Sequence, residues 1–102
     1  MTATLFEILA EPSRRRVLDL LLQHEHTVGE LVDALDMTQP AVSKHLRVLR
    51  QARLVEARVD AQRRVYRLRA EPLAEVDAWL QPYRRFWRGK LVSLQRHLGR
   101  DD

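Results

Sequence analysis

Gln39, Ser43, Lys44 and Arg47 lie in one short stretch whose apolar members, Val42, Leu46 and Leu49, recur at helical spacing. One helix there would bury the apolar stripe and leave the polar residues on its other faces. An amide, a hydroxyl and two cations so displayed suit the edges and backbone of a nucleic acid. Glutamine can pair with adenine through two hydrogen bonds, serine donates or accepts, and lysine or arginine reaches guanine or phosphate. Thr38 reads as the N-cap of this helix, with Pro40 in its first turn. The helix N-terminus itself favours a nearby phosphate. His45 sits among these residues, and two roles are open to it: a packed, hydrogen-bonded histidine or a nucleic-acid contact. Further along, Arg58, Arg63 and Arg64 cluster around the turn Asp60-Ala61-Gln62. Such a tip suits contact with a groove or a phosphate backbone.

Charge follows the same division. The chain has 102 residues and a net charge of +4, but residues 1–36 carry −4, residues 37–69 carry +7 and residues 70–102 carry +1. The middle third holds the positive excess, which points to a polyanionic partner. The plainer alternative is a solvated basic surface.

The elements that position these groups read as follows. Leu5, Ile8 and Leu9 suggest a short first helix. Pro12 and Ser13 open a second, with Val17, Leu20, Leu21 and His24 on one stripe. Thr27 and Glu30 have the spacing of a capping box at the start of a third, whose apolar face is Leu31, Val32 and Leu35. After a break at Asp36 and Met37 comes the fourth helix, from Thr38. Beyond Leu54 the period becomes two. Val55, Ala57 and Val59 alternate with Glu56 and Arg58, and Arg64, Tyr66 and Leu68 alternate with Arg63, Val65 and Arg67, so a two-stranded hairpin follows. Pro72 opens a last long helix. Leu73, Val76, Leu80, Tyr83, Trp87, Leu91, Leu94 and Leu98 form a heptad-like seam with one stutter. Pro82 predicts a kink or break near Gln81. The expected fold is mainly α with a small β-hairpin: a winged helix-turn-helix in the order α-α-α-α-β-β-α, as a single domain over residues 1–102.

Other chemistries find little support. With no cysteine there is no disulfide, thiolate metal site or cysteine nucleophile. No stretch is long and apolar enough for a membrane span, and no signal-peptide pattern opens the chain, so the expected compartment is the cytoplasm. The three glycines stand far apart, and none of the three serines sits in a nucleophile elbow. The acid pair Asp101 and Asp102 lies at a terminus expected to fray. No enzyme activity and no cofactor are expected. His24, Glu25 and His26 are the only local cluster of metal-ligand types. They read as solvated histidines at a helix end, with zinc shared across a dimer as the alternative. Arg14, Arg15 and Arg16 occupy a helix's first turn, where the dipole disfavours cations. That hints at a phosphate contact beside the plainer reading of a charge run. Trp79, Phe86 and Trp87 suit core and dimer packing, with an effector pocket as the alternative.

Several segments together resemble the ArsR/SmtB family of bacterial winged-helix repressors. These are Pro12-Ser13-Arg14-Arg15-Arg16-Val17-Leu18, Gly29-Glu30-Leu31, Thr38-Gln39-Pro40-Ala41-Val42-Ser43-Lys44-His45-Leu46-Arg47-Val48-Leu49, Leu54-Val55 and Arg63-Arg64-Val65-Tyr66-Arg67-Leu68. The resemblance covers about residues 5–98. It implies a homodimer that binds an inverted repeat in double-stranded DNA and regulates transcription, most simply as a repressor. It also implies dimerisation through the first and last helices, here by Leu5, Ile8, Leu73, Val76, Leu80, Tyr83, Trp87, Leu91 and Leu94. Gln39, Ser43, Lys44, His45 and Arg47 would then face the major groove, with Arg58, Arg63 and Arg64 on the flanking backbone or minor groove. The metal-sensing patterns of the family are not met. Its cysteine-bearing segment reads Glu30-Leu31-Val32-Asp33-Ala34-Leu35 here, Asp77 is followed by Ala78 and Trp79, and His97 by Leu98, Gly99 and Arg100. Arg53 and Ala61 stand where the family usually has glycine, before and within the wing. The alternative function is a protein-interaction module that uses the same scaffold to meet an acidic protein. A small hydrolase ranks below both.

Overall fold

The computed structural model describes residues 4–100, so Asp101 and Asp102 lie outside it. The chain divides into two compact units after Pro72. The first contains α1 (Leu5–Ala10), α2 (Pro12–Gln23), β1 (His26–Thr27), α3 (Val28–Leu35), α4 (Gln39–Gln51), β2 (Val55–Asp60) and β3 (Arg63–Leu68). A single 3-10 turn at Glu71–Leu73 leads into α5 (Ala74–Arg100), the second unit.

Side-chain caps set where the helices begin. Thr27 Oγ1 accepts from the Glu30 amide at 3.2 Å while Glu30 Oε1 accepts from the Thr27 amide at 2.9 Å, the full capping box read from the sequence. The hydrogen bond from the Thr27 amide, and then that from its hydroxyl, hold the Glu30 carboxyl below its ordinary pKa. Thr38 caps α4 through the Ala41 amide, with Pro40 in the first turn. The arginines of α2 explain themselves once α1 is in place. Arg14 Nη1 donates to the Ile8 carbonyl, and Arg15 Nη1 donates to the carbonyls of Leu9 and Ala10. They occupy the unfavourable end of one helix because they satisfy the orphan carbonyls, and favour the negative end, of the preceding one. The phosphate contact hinted at for this run is not needed to account for Arg14 and Arg15.

The core of the first unit is built from Ile8, Val17, Leu18, Leu21, Leu31, Leu35, Val42, Leu46, Leu49, Leu54, Val55, Val65 and Tyr66, all buried. The helical members come from the apolar stripes of α1 to α4, so every helix of this unit turns one face inward; Leu54 lies in the turn between α4 and β2, and Val65 and Tyr66 lie on opposite faces of β3.

The sheet has three antiparallel strands in the order β1-β3-β2, one more than the expected hairpin. β1 is only two residues, too short to show alternation, and it forms because its backbone groups pair with β3: His26 opposite Tyr66 and Thr27 opposite Val65. This strand corrects the expectation of a solvated histidine at His26, while His24, at the end of α2, is exposed as expected. His26 is buried, its Nδ1 bonds the His24 carbonyl at 2.8 Å, and the His24 ring stacks on it at 4.1 Å.

Arg53 and Ala61 both adopt positive φ, at 62° and 59°, in the places where glycine would be usual. At Arg53 the reason is explicit. The Leu54 amide bonds the Leu49 carbonyl at 3.0 Å and the Arg53 amide bonds the Arg50 carbonyl at 3.0 Å, so α4 ends in a Schellman motif whose left-handed residue is an arginine. Burial of both Leu49 and Leu54 clamps that turn and holds the strain.

In the second unit α5 runs without interruption through Pro82, so of the expected kink or break the break does not occur. A proline removes one backbone donor, and the intact turns on either side carry the helix past it. Trp79, Tyr83, Phe86, Trp87, Leu91, Val92, Leu94 and Leu98 are all exposed on it. None of the described helices is long and apolar enough to cross a membrane.

The left-handed residues yield a stability test. Ala61→Gly and Arg53→Gly should each stabilise the fold by about 0.5–1 kcal/mol, since glycine relieves a left-handed cost that slightly exceeds its own entropic penalty. Thermal melts would show each variant a few degrees above the parent. A fall like that expected for glycine inside a helix would contradict the strain.

Candidate nucleic-acid interface

α3 and α4 are joined by three residues, Asp36 to Thr38, the first in the left-handed conformation. This tight connection, followed by the β2–β3 hairpin, forms a helix-turn-helix with a wing. Within α4, Val42, Leu46 and Leu49 are at most 1% exposed. Gln39, Ser43, Lys44, Arg47 and Arg50 are exposed, and none of their side chains makes a hydrogen bond or ion pair among the described residues. The helix therefore presents an unengaged polar face. Arg50 is the member to which the sequence reading gave a place off the buried stripe but no nucleic-acid contact, although Ser43, Arg47 and Arg50 follow the i, i+4, i+7 spacing of one helix face.

His45 is set apart from that face. It is half-buried, and its Nδ1 is enclosed without a hydrogen-bond partner, as is Nε of Arg14. Burial pushes the imidazole below its ordinary pKa of 6.5, the nearby Arg14 charge adds to this, and Lys44 contributes less than the opposing pull of Glu11. The environment is that of the α2 start, and it keeps the ring neutral at physiological pH.

On the wing, the register sorts the arginines by face. Residues directly opposite each other share a side, so Glu56 with Arg67, Arg58 with Val65 and Asp60 with Arg63 form one face. Ala57 with Tyr66 and Val59 with Arg64 form the other. Every arginine on the first face has a carboxylate. Arg58 bonds Glu25 at 2.5 Å, Arg63 lies 3.6 Å from Asp60, and Arg67 hydrogen-bonds Glu56, which also pairs with Arg69 at 3.1 Å. Desolvation, the largest single influence on Glu56, raises its pKa, but the hydrogen bonds and charges of Arg67 and Arg69 together hold it below the ordinary value. Hydrogen bonding to Glu25, then its charge, raises the Arg58 pKa. On the second face Arg64 is exposed and has no such partner among the described residues.

The residues expected at a dimer contact are distributed unevenly. Ile8 is 4% exposed and packs within its own unit, and Leu5 is half-buried. Leu73, Val76 and Leu80 are half-buried, whereas Tyr83, Trp87, Leu91 and Leu94 are 48–60% exposed. Trp79 and Tyr83 pack ring to ring at 5.0 Å, and Arg84 pairs with Asp77. No group of three or more histidine, aspartate or glutamate side chains able to hold a metal occurs among the described residues.

This geometry defines a winged helix-turn-helix protein. Residues 11–57 match the family model described as "Bacterial regulatory protein, arsR family". The chain is 42% identical over 88 residues to the HTH-type transcriptional regulator Rv2034 of Mycobacterium tuberculosis, covering 86% of this chain and 79% of that one. It is 29% identical over 75 residues to the transcriptional repressor SdpR of Bacillus subtilis, covering 74% and 83%. Among solved structures, an ArsR family transcriptional regulator superposes with a TM-score of 0.69 at 32% identity, covering 81% of this chain and 86% of that one. The chain belongs to the ArsR family: it is a DNA-binding, helix-turn-helix transcriptional regulator.

The buried imidazole gives a pH test of the fold. The His45 pKa is lowered in the native state, so as pH falls through 6.5 the unfolded chain takes up the proton first and stability drops. The contribution is fully present above 6.5 and is lost progressively below it. Urea unfolding from neutral to mildly acidic pH should show this loss, with a shallower slope in His45→Gln. Equal slopes in the two proteins would place the titration elsewhere.

Proposed function

We propose that this regulator acts as a homodimeric repressor whose two α4 helices enter successive major grooves of an inverted-repeat operator. The observation that carries the reading is the division of α4 into a sealed apolar face and an unengaged face bearing Gln39, Ser43, Lys44, Arg47 and Arg50. The cylinder of a helix fits the major groove, and a two-fold pair would set half-sites roughly 34–36 Å apart. The exposed apolar side chains of α5 support the homodimer, since a ridge of this extent on one helix suits burial against a second copy. The similarity to SdpR, named a repressor, supports the sign of regulation. His45, neutral and half-buried, serves chiefly to seat α4 on α2, and Gln39 and Lys44 lead the base contacts.

Footprinting on the chain's own promoter should reveal a protected palindrome. Gln39→Ala should relax base preference at one position per half-site, by about 1–3 kcal/mol. An unprotected promoter would favour an acidic protein as the partner of this surface.

The wing arginines should differ in their salt response. Arg64→Ala should reduce the slope of log K against log salt by about one unit, because Arg64 is free to neutralise a phosphate. Arg58→Ala should reduce it less, because Arg58 must first leave Glu25. Equal slopes for the two variants would contradict the distinction between the faces. Leu91→Glu with Leu94→Glu should convert the dimer to a monomer by sedimentation and weaken promoter binding with it. An unchanged dimer would move the contact off α5.

A further inference from the structure

Two grooves flank the C-terminal half of α4, and their charge differs. One, of about 560 Å³, is lined by Arg50, Arg53 and Arg69 but also by Glu56 and Glu71. Two carboxylates sit among its three cations, and Arg69 is ion-paired to both; Arg50 borders both grooves. The other, of about 350 Å³, lies between α4 and β3 and is lined by Ser43, Arg47, Arg50, Arg64 and Tyr66 over the apolar Val28 and Leu46. It contains three guanidinium groups from two elements, the hydroxyl-bearing side chains Ser43 and Tyr66, and no carboxylate. None of those three arginines is ion-paired among the described residues.

Three cations lining one groove repel one another unless an anion joins them. The register of the sheet is what produces the arrangement. Arg64 and Tyr66 stand two apart on the same side of β3, the side without acids, while the acids that neutralise the wing sit on the opposite side. The Tyr66 side chain, 7% exposed, forms a fixed wall. Guanidinium groups with a hydroxyl form the donor set that phosphate oxygens accept from.

We propose that this groove is a phosphate seat, in which Ser43, Arg47, Arg50 and Arg64 hold one backbone phosphate of the duplex between the recognition helix and the wing. The inference rests on the DNA-binding reading above and refines it. Ser43 and Arg47 become backbone contacts, base reading falls to Gln39 and Lys44, and Arg50 enters the interface. A phosphate gripped from both elements fixes the angle between wing and helix and so sets the register of α4 along the groove.

The test is a scan of the promoter duplex in which single phosphates are replaced, one at a time, by neutral methylphosphonate. The parent protein should lose about tenfold in affinity at one position per half-site. In Arg50→Ala and in Arg64→Ala that same replacement should cost no more than about twofold, while replacements elsewhere keep their full effect. The double variant should lose less than the product of the single losses, because the two arginines share one phosphate. Should Arg50→Ala destabilise the fold in thermal melts, Arg50→Gln serves in its place. Unaltered profiles in both variants, or losses that simply multiply, would overturn the seat while leaving the regulator reading intact. Failure of the parent protein to bind any duplex would overturn the reading beneath it.

Discussion

Burial of Val42, Leu46 and Leu49 against the core fixes the rotation of α4, and the other functional features of the first unit depend on that rotation. A helix has one circumference to divide. Once these three residues are sealed, Ser43, Arg47 and Arg50 must face solvent, and His45 falls on the flank against the start of α2. The caps at Thr38 and the Schellman turn at Arg53 then fix its length, so the polar face begins and ends at set places. None of this requires the polar residues to contribute stability. They are held in position by neighbours on the opposite side.

The basic character of the middle third is distributed rather than uniform. Glu25, Glu56 and Asp60 neutralise Arg58, Arg67, Arg69 and Arg63, while Arg64 on the wing side facing α4, and Arg47 and Arg50 on α4 itself, have no ion pair among the described residues. Exposed ion pairs of this kind add little to stability. Their consequence is directional: net charge alone would make the whole wing attractive to a polyanion, and the pairing confines that attraction to one face. The Glu25 contact has a second effect. It ties the end of the α2–β1 connection to β2, so the wing is braced from outside its own hairpin.

Much of this was legible in the sequence. Periodicity, Thr27 with Glu30, and Thr38 with Pro40 located the helices of the first unit and their starts, because those signals act over a few neighbouring residues. The change to period two located β2 and β3. What escaped depends on partners distant in sequence. β1 exists through pairing with β3, Arg14 and Arg15 are explained by α1 carbonyls, and Pro82 is carried by the helix around it. Among the site residues, the exposure of Gln39, Ser43, Lys44 and Arg47 followed from the helical stripe. The inward setting of His45 did not, since it is imposed by α2. The pairing of Arg58 with Glu25 likewise spans 33 residues and has no local mark.

The hairpin loop has only two residues, Ala61 and Gln62, and its length sets which side of the wing each arginine occupies. Because alternation in a strand has period two, a slip of β3 by one position would invert every side chain it carries. Arg63, Val65 and Arg67 would turn towards α4, and Arg64 and Tyr66 would turn away, leaving Glu56 and Asp60 without their cross-strand partners. The composition of that loop is therefore freer than its length. Substitutions there alter strain, whereas a one-residue insertion or deletion would exchange the neutral and the cationic sides of the wing.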